Sequence, residues 1–177
     1  MCMGKERKEM QEPQRNLMTL ETKKRLEQEL IQKRADHLKA NKRIGEAAGP
    51  ESDWHDNAAY DEALRQYDLQ SSILKTAEDK LHNIEIIEPR QETDDIGLGN
   101  TVILRFKGED EDEKFTVLGP DDTGTGRDRG WISILSPVGA LLIGHKEGEV
   151  IKMELEGRDP QEITIKRILP GEFSNGT

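Results

Sequence analysis

YDEALRQYDLQSSILKTAEDKLHNI, residues 60–84, decides the architecture of this chain. Tyr60, Ala63, Tyr67, Gln70, Leu74, Ala77, Leu81 and Ile84 recur at alternating intervals of three and four, the spacing that lines one face of an α-helix for a coiled-coil seam. Such a stripe needs a partner, and the chain supplies one just upstream. From Leu17 to Ala48 there is no proline and only one glycine, Gly45, and the apolar stripe is expected at Leu20, Leu26, Leu30, Ala35, Leu38, Ile44 and Ala48. Thr19 is placed to cap its start. Between the two helices lies GPESDWHD, residues 49–56, in which Gly49 and Pro50 end the first helix and Asp56 or Asn57 caps the second. Helices joined by a short loop run antiparallel. A first helix of roughly 30 residues makes a rod of about 45 Å with GPESDWHD at its tip.

Working outward, Pro89 closes the second helix and residues 90–96 read as a linker. Beyond it, TVILRF, KFTVLG, GWISILS, VIKMEL and EITIKRIL are rich in β-branched residues and separated by turn signals, as strands are. The acidic turn GEDEDE joins the first two, and PVGALLIGH has room for one or two helical turns. The expected class is therefore α+β. A coiled-coil hairpin over residues 18–89 precedes a small, mainly antiparallel β domain with a short helix over 97–170. Residues 1–17, polar and broken by Pro13, read as a disordered tail, and residues 171–177 as a loose one.

Composition fits a finger better than a thick globule: 33% of the 177 residues are hydrophobic, 4% aromatic and 35% charged. The formal net charge is -10, and residues 90–177 hold eleven basic and eighteen acidic groups. Such a field repels free nucleic acid, so any meeting with RNA or DNA is expected to be arranged by a protein partner. Cys2 is the only cysteine, which rules out an intramolecular disulfide and a multi-cysteine metal site. No secretory signal and no membrane-length apolar run is read, and a cytoplasmic monomer is expected.

Three stretches resemble a known family, the Gre factors GreA and GreB. Met18, Thr19, Leu26, Glu29 and Leu30 match that family's opening, MTxxxxxxLxxEL, and DWHDNAAY, residues 53–60, resembles its tip, D-L-x-E-N-A-E-Y. ISILSPVGALLIGHKEGEV, residues 132–150, resembles its block S-x-x-S-P-[LIVM]-G-x-A-L-x-G-K-x-x-G-[DE]-x-V. The departures are Asp56 and Ala59 where the family has Glu, Leu141 where a small residue is common, and Gly49 where an arginine often stands.

The resemblance implies a factor without enzymatic activity of its own that binds bacterial RNA polymerase, enters its secondary channel and stimulates the polymerase's cleavage of backtracked RNA. It implies an FKBP-like fold for residues 97–170, docked on the polymerase, with Ser136, Pro137, Val138 and Gly139 in the docking corner. Nascent RNA and template DNA would be met only inside the elongation complex. Lys39, Lys42 and Arg43, in a basic run with Lys33 and Arg34, would face the RNA; the plain alternative is a solvated helix face with i, i+4 acids. Asp53 and Asp56 are hard oxygen donors, and the family's chemistry would have them share a Mg²⁺ with the polymerase, the protein having no cofactor of its own. Either could instead serve only as a cap. Trp54, Asn57 and Tyr60 would support the tip, with Tyr60 also on the seam. His55 is not read as a zinc ligand, because a catalytic zinc site uses three protein ligands. A Gre-fold regulator that occupies the channel without stimulating cleavage, and a coiled-coil adaptor unrelated to polymerase, are the competing readings.

Overall fold

The computed structural model describes residues 15–48, 58–123, 130–153 and 160–173. Strand β1 (Asn16–Met18) leads into helix α1 (Leu20–Ala48); helix α2 (Ala58–Lys80) is followed by β2 (Ile84–Ile86). Then come β3 (Thr101–Phe106), β4 (Glu113–Leu118), β5 (Trp131–Ser133), the short helix α3 (Pro137–Leu142), β6 (Val150–Met153) and β7 (Gln161–Leu169). The protein is thus mixed α+β, a long helical region followed by a small sheet.

Helices α1 and α2 run antiparallel, since Arg34 reaches Glu78 while His37, further along α1, reaches Ser71 further back on α2. On α2 every expected seam residue from Tyr60 to Ala77 is at least half-buried. The expected stripe on α1 needs correction. Ala35 and Leu38 point outward, Leu38 being 69% exposed, and the shielded line runs through Leu26, Leu30, Lys33, His37, Ala40, Ile44 and Ala47. These positions alternate by four and three without a break, so the heptad was present but hidden by two polar members. A narrow two-helix seam admits them because each has somewhere to send its polar end. The Lys33 ammonium lies 3.7 Å from Glu29. The His37 ring stacks at 4.9 Å from Tyr67, and its Nε2 lies 3.0 Å from Ser71 Oγ. Ser71 already donates its single proton to the Tyr67 carbonyl at 2.8 Å, so His37 Nε2 is the donor in that contact.

The second helix also stops earlier than its periodicity suggests. Lys80 ends α2, Asn83 takes the left-handed conformation with φ 51°, and Ile84–Ile86 pair in parallel with Asn16–Met18. The proposed tail therefore does not extend to residue 17. The reason lies in Asn16, whose side chain donates to the Asp79 and His82 carbonyls at 3.0 and 2.8 Å and so satisfies acceptors that a helix end leaves open.

The sheet has strand order β5-β4-β3-β7-β6. Three of its pairings are antiparallel, and β4 with β5 is parallel. Ile96, Val102, Leu104, Val117, Leu142, Ile163 and Ile165 form the buried centre, with α3 packed near β5 and β6. Residues 90–96 are not a free linker. Ile96 is fully buried, its N–H donates to His145 O at 2.9 Å, and Gly171 N–H donates back to Arg90 O at 2.9 Å. That last bond, with Glu172 N–H on Thr101 Oγ1 at 3.3 Å, also holds the start of the proposed loose C-terminal tail.

Candidate functional site

Three places matter: the far end of the hairpin, its outer basic face, and the α3 corner of the sheet domain. The α1 start and α2 end sit beside the sheet domain, so Ala48 and Ala58 mark the end of the rod that points away from it. Asp53, Trp54, His55, Asp56 and Asn57 connect those ends in sequence and lie outside the described residues. Of the proposed tip residues only Tyr60 is described, half-buried in the α2 seam.

Lys39, Lys42 and Arg43 all lie on exposed turns of α1. Lys39 pairs with Asp36 at 3.2 Å and Lys42 with Glu46 at 3.6 Å. The Asp36 carboxyl is held below the usual carboxylate range by the Gln32 hydrogen bond first and by Lys39 second. Both lysines are strongly exposed, and such surface pairs are worth about 0–1 kcal/mol, so a competing phosphate could take them.

At the corner, the motif residues turn inward. Ser136 Oγ donates to Ser133 O at 2.7 Å and accepts from Gly139 N–H at 3.0 Å, capping α3 with Pro137 in its first turn. Gly139 is buried against the Ser133 carbonyl, where an added Cβ would lie 2.0 Å from the oxygen. Val138 packs against the core. What these residues shape is a surface made by their neighbours: Leu135 is 71% exposed, and Pro137, Ala140, Leu141 and Ile143 are exposed beside it. Residues 130–144 contain no charged side chain in a chain that is 35% charged. Apolar exposure without charge is the composition of the centre of a protein contact. Leu135 was missed at the sequence level, although the charge-free run pointed to it. Beside this surface His145 Nδ1 meets Glu149 at 2.5 Å, a hydrogen bond that holds the Glu149 carboxyl below its usual range.

The joint between hairpin and sheet domain carries a fourth cluster that the sequence did not announce. The Asp122 side chain is fully buried and accepts from Thr19 Oγ1 at 2.7 Å, Thr19 N–H at 3.0 Å and Gly119 N–H at 3.1 Å. Asp121 pairs with Lys80 of α2, and its carbonyl accepts from Arg25 of α1 at 3.2 Å. Gly119 abuts the backbone of Leu17, where a Cβ would lie 1.8 Å from the carbonyl oxygen.

A helical hairpin fastened at its base to a small sheet domain with an apolar corner defines a two-part protein of reach and attachment. The family described as transcription elongation factor, GreA/GreB, C-term matches residues 91–170. The transcription elongation factor GreA of Desulfovibrio desulfuricans is 32% identical over 142 residues, spanning 79% of this chain and 86% of its own length. That of Thermotoga neapolitana is 31% identical over 141 residues, 79% of this chain and 88% of its own. A solved structure of GreA factor homolog 1 (Gfh1) of Thermus thermophilus aligns over 82% of this chain and 93% of its own, with 26% identity and a TM-score of 0.36. The chain belongs to the GreA/GreB family of transcription elongation factors. No described helix is long and apolar enough to cross a membrane.

Proposed function

We propose that this protein docks on bacterial RNA polymerase through residues 97–170, extends its hairpin into the secondary channel, and stimulates the polymerase's own cleavage of backtracked RNA. The observation that supports this reading is the hairpin itself: 29 residues of α1 project away from a base tied to the docking domain, and the segment beyond them contains three carboxylates, Glu51, Asp53 and Asp56. The apolar surface around Leu135, Leu141 and Ile143 suits the docking role. The five-stranded sheet with one short helix supports the FKBP-like reading of this half. Lys39, Lys42 and Arg43 would meet RNA phosphate within the complex, where ion pairs as weak as theirs exchange readily.

Asp53 and Asp56 fit a shared Mg²⁺ by donor chemistry alone: they are hard oxygen ligands, and two carboxylates provide part of an octahedron that a partner completes. When bound, that ion would stabilise charge on the oxygens of the cleaved phosphodiester. The protein itself contributes placement of the two carboxylates and no hydrolysis alone. It acts as a cytoplasmic monomer and meets nascent RNA and template DNA only in the elongation complex. The test is a stalled, backtracked elongation complex with radiolabelled RNA. Shortened RNA on adding wild type, lost in Asp53→Asn and Asp56→Asn, supports the proposal. Slowed elongation without cleavage, equal in all three, would replace it with a channel-occupying regulator.

A further inference from the structure

We propose that Asp122, clasping Thr19, is a positioning residue that fixes the direction in which the hairpin leaves the sheet domain. A buried carboxylate is costly unless its oxygens are satisfied, and here the donors come from both sides of the joint. Thr19 brings two from the start of α1, and Gly119 brings one from the end of β4. Capping alone does not require this arrangement, because Thr19 Oγ1 already accepts from Thr22 N–H at 3.3 Å within α1. The residues that share the bonds are 103 positions apart, so one small network holds two separately built units in one relative orientation. Lys80–Asp121 and Arg25–Asp121 tie both legs of the hairpin to the same corner, but they are partly exposed and so screened by solvent.

The length of the hairpin makes the joint matter. The 29 residues of α1 span about 44 Å, so each degree of play at the base moves the far end by about 0.8 Å. A misplacement of about 1 Å is enough to cost on the order of 100-fold in a reaction that depends on alignment. Small angular freedom at Thr19 is therefore amplified where the acidic segment must act. The consequence for activity rests on the proposed function; the geometry does not.

The experiment uses the full chain with Cys2→Ser, Asn41→Cys and Lys166→Cys, spin-labelled on two exposed positions, one on each side of the joint. Pulsed electron resonance reads the distribution of label separations. Asp122→Ala should broaden it about twofold, because every shared bond is lost; Thr19→Val, which loses the hydroxyl bond but keeps the Thr19 N–H bond, should broaden it in the same direction by less, whereas Thr19→Ser, which keeps the hydroxyl, should leave it narrow. Circular dichroism checks that helix content is unchanged, and Thr19→Val carries the test if Asp122→Ala does not fold. On the polymerase, Asp122→Ala and Thr19→Val should bind within about threefold of wild type yet lose about tenfold or more of stimulated cleavage at saturation, with Thr19→Ser normal. Unchanged widths in both variants overturn the proposal; a broadened distribution with undiminished cleavage keeps the joint and overturns its consequence for activity. If wild type stimulates no cleavage while the widths respond as stated, the joint is confirmed and the proposed function is what fails.

Discussion

Gly139→Ala separates two explanations of the α3 corner, a structural one and a contact one. The added methyl carbon would lie 2.0 Å from Ser133 O and 3.0 Å from Ser136 Oγ. The first contact is far inside van der Waals range, so the Ser133 carbonyl must move by about 1 Å or more. That carbonyl accepts from Ser136 N–H at 2.9 Å and from Ser136 Oγ at 2.7 Å, and Ser136 in turn caps α3. Losing or stretching two hydrogen bonds at about 1 kcal/mol each, with part of a cap worth about 1 kcal/mol, gives a destabilisation of about 2–3 kcal/mol. For a domain of this size that lowers the melting temperature by about 10–20 °C. Urea unfolding and thermal melting of the full chain read the loss. A second substitution, Leu135→Ser, should leave stability within about 0.5 kcal/mol, because the side chain is mostly in solvent, and should weaken polymerase binding instead. If Gly139→Ala unfolds like wild type but loses binding, the motif residues touch the partner directly and the corner argument is wrong.

Asp56→Glu restores the side chain common in the family and should raise stimulated cleavage, read as shortened RNA on a gel. Asn16→Ala should cost about 1–2 kcal/mol in urea unfolding by opening the Asp79 and His82 carbonyls at the end of α2. His37→Leu should stabilise the hairpin by about 1 kcal/mol, since Ser71 keeps its bond to Tyr67 and the seam gains apolar area. The Glu149 carboxyl is depressed, so its contribution to stability is present above the ordinary carboxylate value of 4.5 and fades as pH falls through the folded value. Glu149→Gln should flatten the acid limb of a stability titration only there. Burial first and Glu109 second raise the Glu113 carboxyl, and the sign reverses: its contribution is lost as pH rises, so Glu113→Gln should stabilise the protein at neutral pH and not at pH 4.

Period and punctuation were enough to read the hairpin and the strands, because both follow from residues a few positions apart. The α2 seam was legible since its members are mostly apolar; the α1 seam was misread since Lys33 and His37 occupy it and Leu38 does not. Ile84 fits a helical stripe and a strand equally well, and only Asn16, 68 residues earlier, decides for the strand. The short helix after Ser136 was anticipated, yet which of its side chains face out depends on packing against strands distant in sequence, which local pattern does not encode. Asp122 left no signal at all, because two aspartates after a glycine and a proline read as a turn.

The pairing of β1 with β2 also settles how the two helices are aligned along each other. Coiled-coil seams repeat every seven residues, so a slip by one heptad costs few apolar contacts and would displace one helix by about 10.5 Å along the other. In this hairpin Asn16, Leu17 and Met18 are matched to Ile84, Glu85 and Ile86, and some thirty Å along the rod His37 is matched to Ser71. A sliding helix would have to break both matches at once. The register of the hairpin is thereby set at its base and again in its middle, and the chain between Ala48 and Ala58 begins and ends at the same place in every molecule.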